Sequence, residues 1–351
     1  MKERASARLR LLDRYLGIPL VFFLSLFKRK RSLQKQEKIA VLVTAGIGDT
    51  VLLTAILQDL EGKEITLFTG QANAEMGRMI PGVQVVALPI TSPLKALRLI
   101  RKERFDVWID ANPWPRINAL FSFFSKSSFT IGFKTSNQYR HPVYDYAISH
   151  LANRHELENL RALLIPLAIE PKHQPFLRIK KQKREEKLIM LHPYAGGSRA
   201  ELKEWPEPQW IALIEALMSK GYRIILSGGP GDTSRLNALR RRCPFSEKIA
   251  LTAGKLSLLQ TAELLGRISR LVSVDTGVMH MAAALGCPVI ALHGPTSPHR
   301  WGGIGKNVIA LQQDFPYTPC IHLGFEAVCN SNTCMKNITL EAVLSALLLS
   351  T

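Results

Sequence analysis

Residues 270–298, RLVSVDTGVMHMAAALGCPVIALHGPTSP, decide the fold. The spacing predicts a strand over 271–274, a tight turn at Asp275-Thr276-Gly277 and a helix over 278–285. A second strand over 289–293 and a loop at 294–298 follow. Both strands are short apolar runs without alternation, the pattern of strands covered on both faces in a parallel sheet. Small polar groups sit where the first strand meets the helix. Backbone N–H groups and the helix dipole make that junction an anion site. The turn therefore suits the phosphates of a nucleotide-linked substrate.

Working backwards, two more loops have the same character. A strand over 188–192 leads into Pro193-Tyr194-Ala195-Gly196-Gly197-Ser198-Arg199 and then Lys203-Glu204-Trp205-Pro206, before a helix over 208–220. A strand over 222–227 ends in Gly228-Gly229-Pro230-Gly231-Asp232, with a helix from Thr233 and another over 256–266. In a parallel sheet such loops share the carboxyl edge and converge on one ligand. Three in succession, with a Lys and a His available, point to a phosphate-bearing ligand.

The first half of the chain has its own strand–turn–helix. Residues 38–44 (KIAVLVT) read as a buried strand, Ala45-Gly46-Ile47-Gly48-Asp49 as the turn, and 50–60 as a helix. The order is that of a nucleotide-binding βαβ unit, but Val51 stands where the GxGxxG fingerprint needs its third glycine. A dehydrogenase reading is weak for that reason. Asp49 has two readings: a cap accepting backbone N–H groups, or a carboxylate acting as general base. Capping lowers a carboxylate's basicity, so the two coexist only in part. Strands over 64–69, 83–88, 105–110 and 129–133 alternate with helices over 93–102 and 117–124, and a helix over 155–167 closes the domain. Trp114, Arg116, Arg140 and His141 are candidates to face a sugar or acidic acceptor, against the plainer reading of exposed loop residues.

The chain has 351 residues, enough for two domains, and a formal net charge of +18. Residues 1–40 hold eleven Lys and Arg against three Asp and Glu. Such an excess suits an anionic partner. Residues 15–27 form a mostly apolar run of thirteen, closed by Lys28-Arg29-Lys30-Arg31. A spanning helix needs about 20 apolar residues. The run therefore reads as a segment lying on an anionic membrane surface, with packing on its own domain as the alternative. As a surface anchor, residues 1–31 are dispensable for folding. Residues 171–187 carry seven basic and two acidic residues with two prolines, as a solvated linker does. The expected organisation is thus an N-terminal membrane-surface segment (1–37), a first domain (38–170), a linker (171–187), a second domain (188–337) and a terminal helix (338–351). Five cysteines without a dense framework read as reduced cytoplasmic thiols. Cys320, Cys329 and Cys334 lack the close CxxC pairs of a zinc ribbon, and a metal site there is the minor reading. Nucleic-acid binding rests on net charge alone, with no recognition motif.

Together, GIGDTVLLTAIL (46–57), LHPYAGGS with KEWP (191–206), LSGGPGD (226–232) and VDTGVMHMAAALGCPVIALHGPTSPHRWG (274–302) resemble glycosyltransferase family 9, the lipopolysaccharide heptosyltransferases. The resemblance covers nearly all of residues 39–345. It implies an α/β GT-B fold: two Rossmann-like domains facing across a cleft, acceptor on the first and nucleotide sugar on the second. It also implies an inverting transfer from ADP-heptose to a phosphorylated glycolipid, the lipid A–Kdo inner core, with no metal and no cofactor. The enzyme would be a cytoplasmic monomer at the inner membrane. By position, Asp49 would be the base. Gly197 and Ser198 would contact the diphosphate, Lys203 would neutralise it, and Asp275, Thr276, Gly277 and His280 would line the donor site. Asp232 is a further donor candidate, and Gly48, Trp114, Arg116 and Arg140 are acceptor candidates. Two features depart from the family pattern: residues 199–202 enlarge the loop before Lys203, and His293 replaces an aromatic. The alternatives are another nucleotide sugar, a protein acceptor, or a non-catalytic binder of nucleotide sugars or glycolipid.

Overall fold

The computed structural model describes residues 7–44, 46–180, 182–197, 199–316, 318–321, 323 and 329–349. The chain divides into two units, Met1–Pro175 and Phe176–Thr351. The first holds β1 (Lys38–Val43), β2 (Glu64–Gly70), β3 (Val83–Leu88), β4 (Phe105–Asp110), β5 (Ser127–Thr135) and β6 (Tyr146–His150). The second holds β7 (Glu185–His192), β8 (Arg223–Leu226), β9 (Ala250–Leu251), β10 (Ile268–Val274), β11 (Val289–Leu292) and β12 (Val308–Leu311). The sheet orders are β3-β2-β1-β4-β5-β6 and β12-β11-β10-β7-β8-β9. Among the described residues every strand pairing is parallel. β10 is buried at every position, as a run covered on both faces should be.

Strand order reverses beside the first strand of each sheet. β1 lies between β2 and β4, and β7 lies between β8 and β10. Where the order reverses, the connecting loops part and leave a crevice at the carboxyl ends. Residues 44, 46–49 and 110–112 therefore meet at one sheet edge, and residues 193–197 and 275–277 at the other. Three buried asparagines build the first edge. Asn112 accepts from the Thr44 N–H at 2.9 Å and donates to the Leu42 carbonyl at 2.9 Å. Asn118 donates to Thr44 Oγ1 at 2.8 Å, and Asn73 donates to the Val43 carbonyl at 3.0 Å. Side chains thus satisfy backbone groups that the strand leaves behind as it ends.

Most elements fall where spacing put them, and the departures have local causes. The helix expected from residue 50 starts at Ile47, because Asp49 closes a capping box on Gly46. The closing helix of the first unit ends at Ala162, and Pro166, which has no N–H to donate, sits in a separate turn, Ile165–Leu167. The edge strands β6 and β12 were not expected. β6 is mixed in polarity, and β12 (VIAL) is only half-covered, so neither shows a clean period.

The N-terminal segment is a kinked helix, Ala7–Tyr15 and Gly17–Ser25, built into the first unit. The two parts meet at Leu16, which keeps helical backbone angles, and Leu16 and Leu20 donate across the junction to the Leu12 and Leu16 carbonyls. Val21 and Leu24 are buried with Ala119, Val143 and Tyr144. Asp13 accepts from the Ile117 N–H at 3.0 Å and pairs with Arg116 at 3.2 Å. Gly17 lies against the Arg116 side chain, where an added Cβ would stand 2.8 Å from Arg116 Cβ. Lys28 and Arg31 both pair with Asp145, at 2.9 and 2.8 Å, and Lys30 donates to the Tyr144 carbonyl. Three of the four residues in the basic cluster thus serve as anchors to the body of the unit. Residues 7–31 are therefore part of the folded unit and cannot be treated as a detachable tail.

Arg140 is fully buried, and its guanidinium meets Asp110, Tyr144 Oη and the Asn112 carbonyl. Tyr144 Oη also donates to Asp110 at 2.8 Å. Removing one partner of a buried ion pair leaves the other charge without compensation. Arg140→Ala should cost about 3–5 kcal/mol in urea unfolding. The double change Asp110→Asn with Arg140→Met should recover most of that loss.

Candidate active site

The helix Gly277–Ala284 follows β10 directly. Thr276 caps it, accepting from the Met279 N–H at 3.4 Å, and its hydroxyl lies 3.2 Å from Ser273 Oγ. The first backbone N–H groups of this helix point toward the sheet edge. Asp275 precedes the cap and is nearly enclosed. Lys203 Nζ reaches Asp275 Oδ2 at 3.3 Å, joining the loop after β7 to the turn after β10. Burial raises the Asp275 carboxyl, but Lys203, His293 and His280 nearby, with a hydrogen bond from Thr296, outweigh it and hold the pKa at about 2. His280, one turn into the helix, is buried. Asp275, Thr276, Gly277 and His280 therefore lie at one sheet edge, and Lys203 reaches it from the loop after β7.

The neighbourhood contains groups that spacing did not single out. His293 is buried just after β11, with Nδ1 3.5 Å from Thr296 Oγ1. Burial lowers its pKa, only partly offset by Asp275. His192 ends β7 and contacts Ser227 Oγ at 2.9 Å, and burial brings its pKa down to about 4. It is neutral at pH 7. The signal for both was available: each is the first polar residue after an apolar strand, where an α/β ligand edge begins.

The enlarged loop before Lys203 has a clear form. Gly197 has φ +90°, the left-handed region that favours glycine, and its Cβ position is open. Ser198 lies outside the described residues. A short 3-10 turn, Ala200–Lys203, then carries the lysine. Leu202 anchors it beside Cys320 and Ile321, and Arg199 donates to the Cys329 carbonyl at 3.1 Å and Asn330 Oδ1 at 2.8 Å. Trp205 stands edge-on to Trp210 at 5.1 Å and donates to the Ile338 carbonyl at 2.9 Å. The lysine is thus held at both ends of its loop. Asp232 accepts from the Gly229 N–H at 2.8 Å in a capping box, and that contact is what the structure assigns to it.

In the first unit, Asp49 is half-buried at the third position of its helix, and its Oδ2 accepts from the Gly46 N–H at 2.8 Å. Gly48 lies in the same first turn, and Trp114 is half-buried between two prolines. Two expected acceptor contacts need correction. Arg116 is buried and committed to Asp13 and the Gln138 carbonyl, and Arg140 is enclosed on Asp110. Both are internal braces, because a guanidinium at this sheet edge satisfies groups the loops leave buried. His141 is half-buried beside them, with its pKa lowered by burial, Lys134 and Lys30. The Cys320 and Cys329 sulfurs lie 3.4 Å apart as free thiols, and His322 lies outside the described residues. Among the described residues, no group of three or more His, Cys, Asp or Glu is placed to hold a metal ion.

The family model for glycosyltransferase family 9 (heptosyltransferase) matches residues 94–327. The chain is similar to lipopolysaccharide heptosyltransferase 1 of Escherichia coli K12, 29% identical over 253 residues, covering 68% of this chain and 76% of that protein. It is 35% identical over 134 residues to lipopolysaccharide heptosyltransferase 1 of Pseudomonas aeruginosa, covering 38% of this chain but only 36% of that protein. A solved structure of Escherichia coli ADP-heptose lps heptosyltransferase II aligns with TM-score 0.73 and 19% identity, over 89% of this chain and 98% of that one. At that identity the likeness speaks for the fold.

The two buried acids and bases set a pH dependence. Between about 6.5 and 4 the unfolded chain protonates His192 and the folded one does not, so stability falls as pH drops through that window. The loss should be about 3 kcal/mol. Asp275, depressed from 3.8 to about 2, adds a second loss in the same direction as pH falls from 3.8 through 2. Urea midpoints measured against pH should show both, and His192→Asn should reduce the upper loss and leave the lower one.

Proposed function

The chain belongs to glycosyltransferase family 9, and on that premise we propose that it transfers a heptose from ADP-heptose to the inner core of a lipopolysaccharide acceptor, with inversion and without a metal ion. The observation that carries the donor half is the joining of Lys203 to Asp275 beside the capped start of the helix Gly277–Ala284. As the bond from the anomeric carbon to the diphosphate breaks, negative charge grows on the leaving oxygen. A lysine, a helix N-terminus and His280 place positive potential there before the reaction begins, which is where such groups act most strongly. The pair with Asp275 does not exhaust Lys203, since an ammonium has three donors. Gly197 and Ser198 are proposed to contact the diphosphate through their loop.

Asp49 is the proposed base. It takes the proton of the acceptor hydroxyl as that oxygen bonds to the anomeric carbon on the face opposite the diphosphate, and ADP departs with the bonding pair. The Gly46 N–H, donating to Oδ2 at 2.8 Å, holds the carboxylate in position. The phosphorylated glycolipid acceptor places the work at the cytoplasmic face of the inner membrane, and the family names of the relatives support that substrate class. Gly48 and Trp114 remain the proposed acceptor contacts of the first unit.

Asp49→Asn keeps an oxygen to accept from Gly46 and loses the base, so it separates the cap from the chemistry. It should lower transfer from ADP-heptose to lipid A–Kdo by at least about 100-fold. ADP affinity by calorimetry should stay within about twofold, because the change lies in the first unit. Lys203→Ala should instead weaken ADP binding. Transfer that survives Asp49→Asn would remove Asp49 from the role of base.

A further inference from the structure

The kinked N-terminal helix has two faces, and only one is used by the fold. Gly17, Val21 and Leu24 point inward at helical spacing. Among the described residues, ten of the eighteen exposed large apolar side chains lie between Leu9 and Phe27. Leu16 is 65% exposed, Phe23 58%, Leu26 80% and Phe27 66%. Phe23 and Phe27 stack edge-on at 5.3 Å, and the Phe22 ring lies 6.3 Å from the exposed Tyr139. A soluble monomer rarely exposes so contiguous an apolar patch without a use for it.

We propose that this outer face of the kinked helix is a docking surface that seats in the interfacial region of an anionic lipid bilayer. The proposal rests on the acceptor being membrane-borne, and deepens that reading by naming the surface that meets the lipid. Charge complementarity selects a bilayer. Arg14 and Arg29 are exposed at the rim of the patch, in a segment with eleven basic residues against three acidic ones. Lys28, Lys30 and Arg31 are bonded to Asp145 and the Tyr144 carbonyl, so they hold the helix in position. The docking face is therefore rigidly carried: Asp145 and Arg116 fix its two ends, and aromatic and leucine side chains project from it. An apolar face with basic flanks is the pattern of a helix lying in the plane of a membrane, with the apolar side chains buried at the headgroup boundary. No helix among the described residues is long and apolar enough to cross a membrane, so the contact is made from one side.

Because the helix is part of the fold, the test uses the full chain with exposed residues changed. Flotation with vesicles of phosphatidylcholine and phosphatidylglycerol should bind the wild type more than vesicles of phosphatidylcholine alone. The variant Phe22→Ser, Phe23→Ser, Leu26→Ser, Phe27→Ser should lose at least about tenfold in bound fraction, and Arg14→Glu with Arg29→Glu should lose the preference for anionic vesicles. Both should keep the wild-type melting temperature and unaltered turnover of ADP-heptose on a deacylated, water-soluble acceptor. Wild-type vesicle binding by the quadruple variant would overturn the proposal. So would a wild-type dimer in sedimentation velocity that the same substitutions dissociate, since a second copy would then cover the face. Vesicle binding without any ADP-heptose turnover would count against the transferase reading and leave the surface standing.

Discussion

Parallel pairing of every strand is the constraint on which the rest depends. A parallel strand needs a crossover to return, so helices cover the sheet faces and the central strands are mostly apolar. Polar chemistry then collects at the carboxyl ends of the sheets. In the second sheet β7 and β10 lie side by side, and the loops that leave them hold Lys203 and Asp275 at 3.3 Å. Those two residues are 72 positions apart in the chain. The sheet order alone makes them neighbours.

The same edge physics explains why capping and function fall on the same residues. Asp49, Asp232 and Thr276 each take a backbone N–H near the start of a helix. A strand-to-helix turn leaves several such donors open, and the residue that satisfies one of them also stands closest to any ligand that satisfies the others. For Asp49 the structure shows the cap, and the role of base is the proposed one. The contact fixes the carboxylate's position. Asp232 makes the same contact with the Gly229 N–H.

Long basic side chains were the least legible part of the sequence. Arg116, Arg140 and the 28–31 cluster read as surface charge, because arginine and lysine are usually exposed. Here Arg140 compensates buried Asp110, Arg116 meets Asp13, and Lys28 and Arg31 meet Asp145. Each partner is separated by about thirty residues or many more. Local periodicity carries no information about such pairings, and an ionic partner changes the cost of burial completely. The same long-range contacts turned an apparent tail into an integral helix.

The sequence by itself determined the α/β class, the position of most strands and helices, and the turns at 46–49, 193–197, 228–232 and 275–277. Those features depend on neighbours within about one turn or one strand, and hydrophobic period, glycine and capping residues record them locally. Only the tertiary structure decided that Lys203 meets Asp275, that His192 and His293 are buried at the sheet edge, and that Arg116 and Arg140 face inward. It also decided which face of the N-terminal helix is left uncovered. These outcomes follow from strand order and burial, which join residues far apart in the chain.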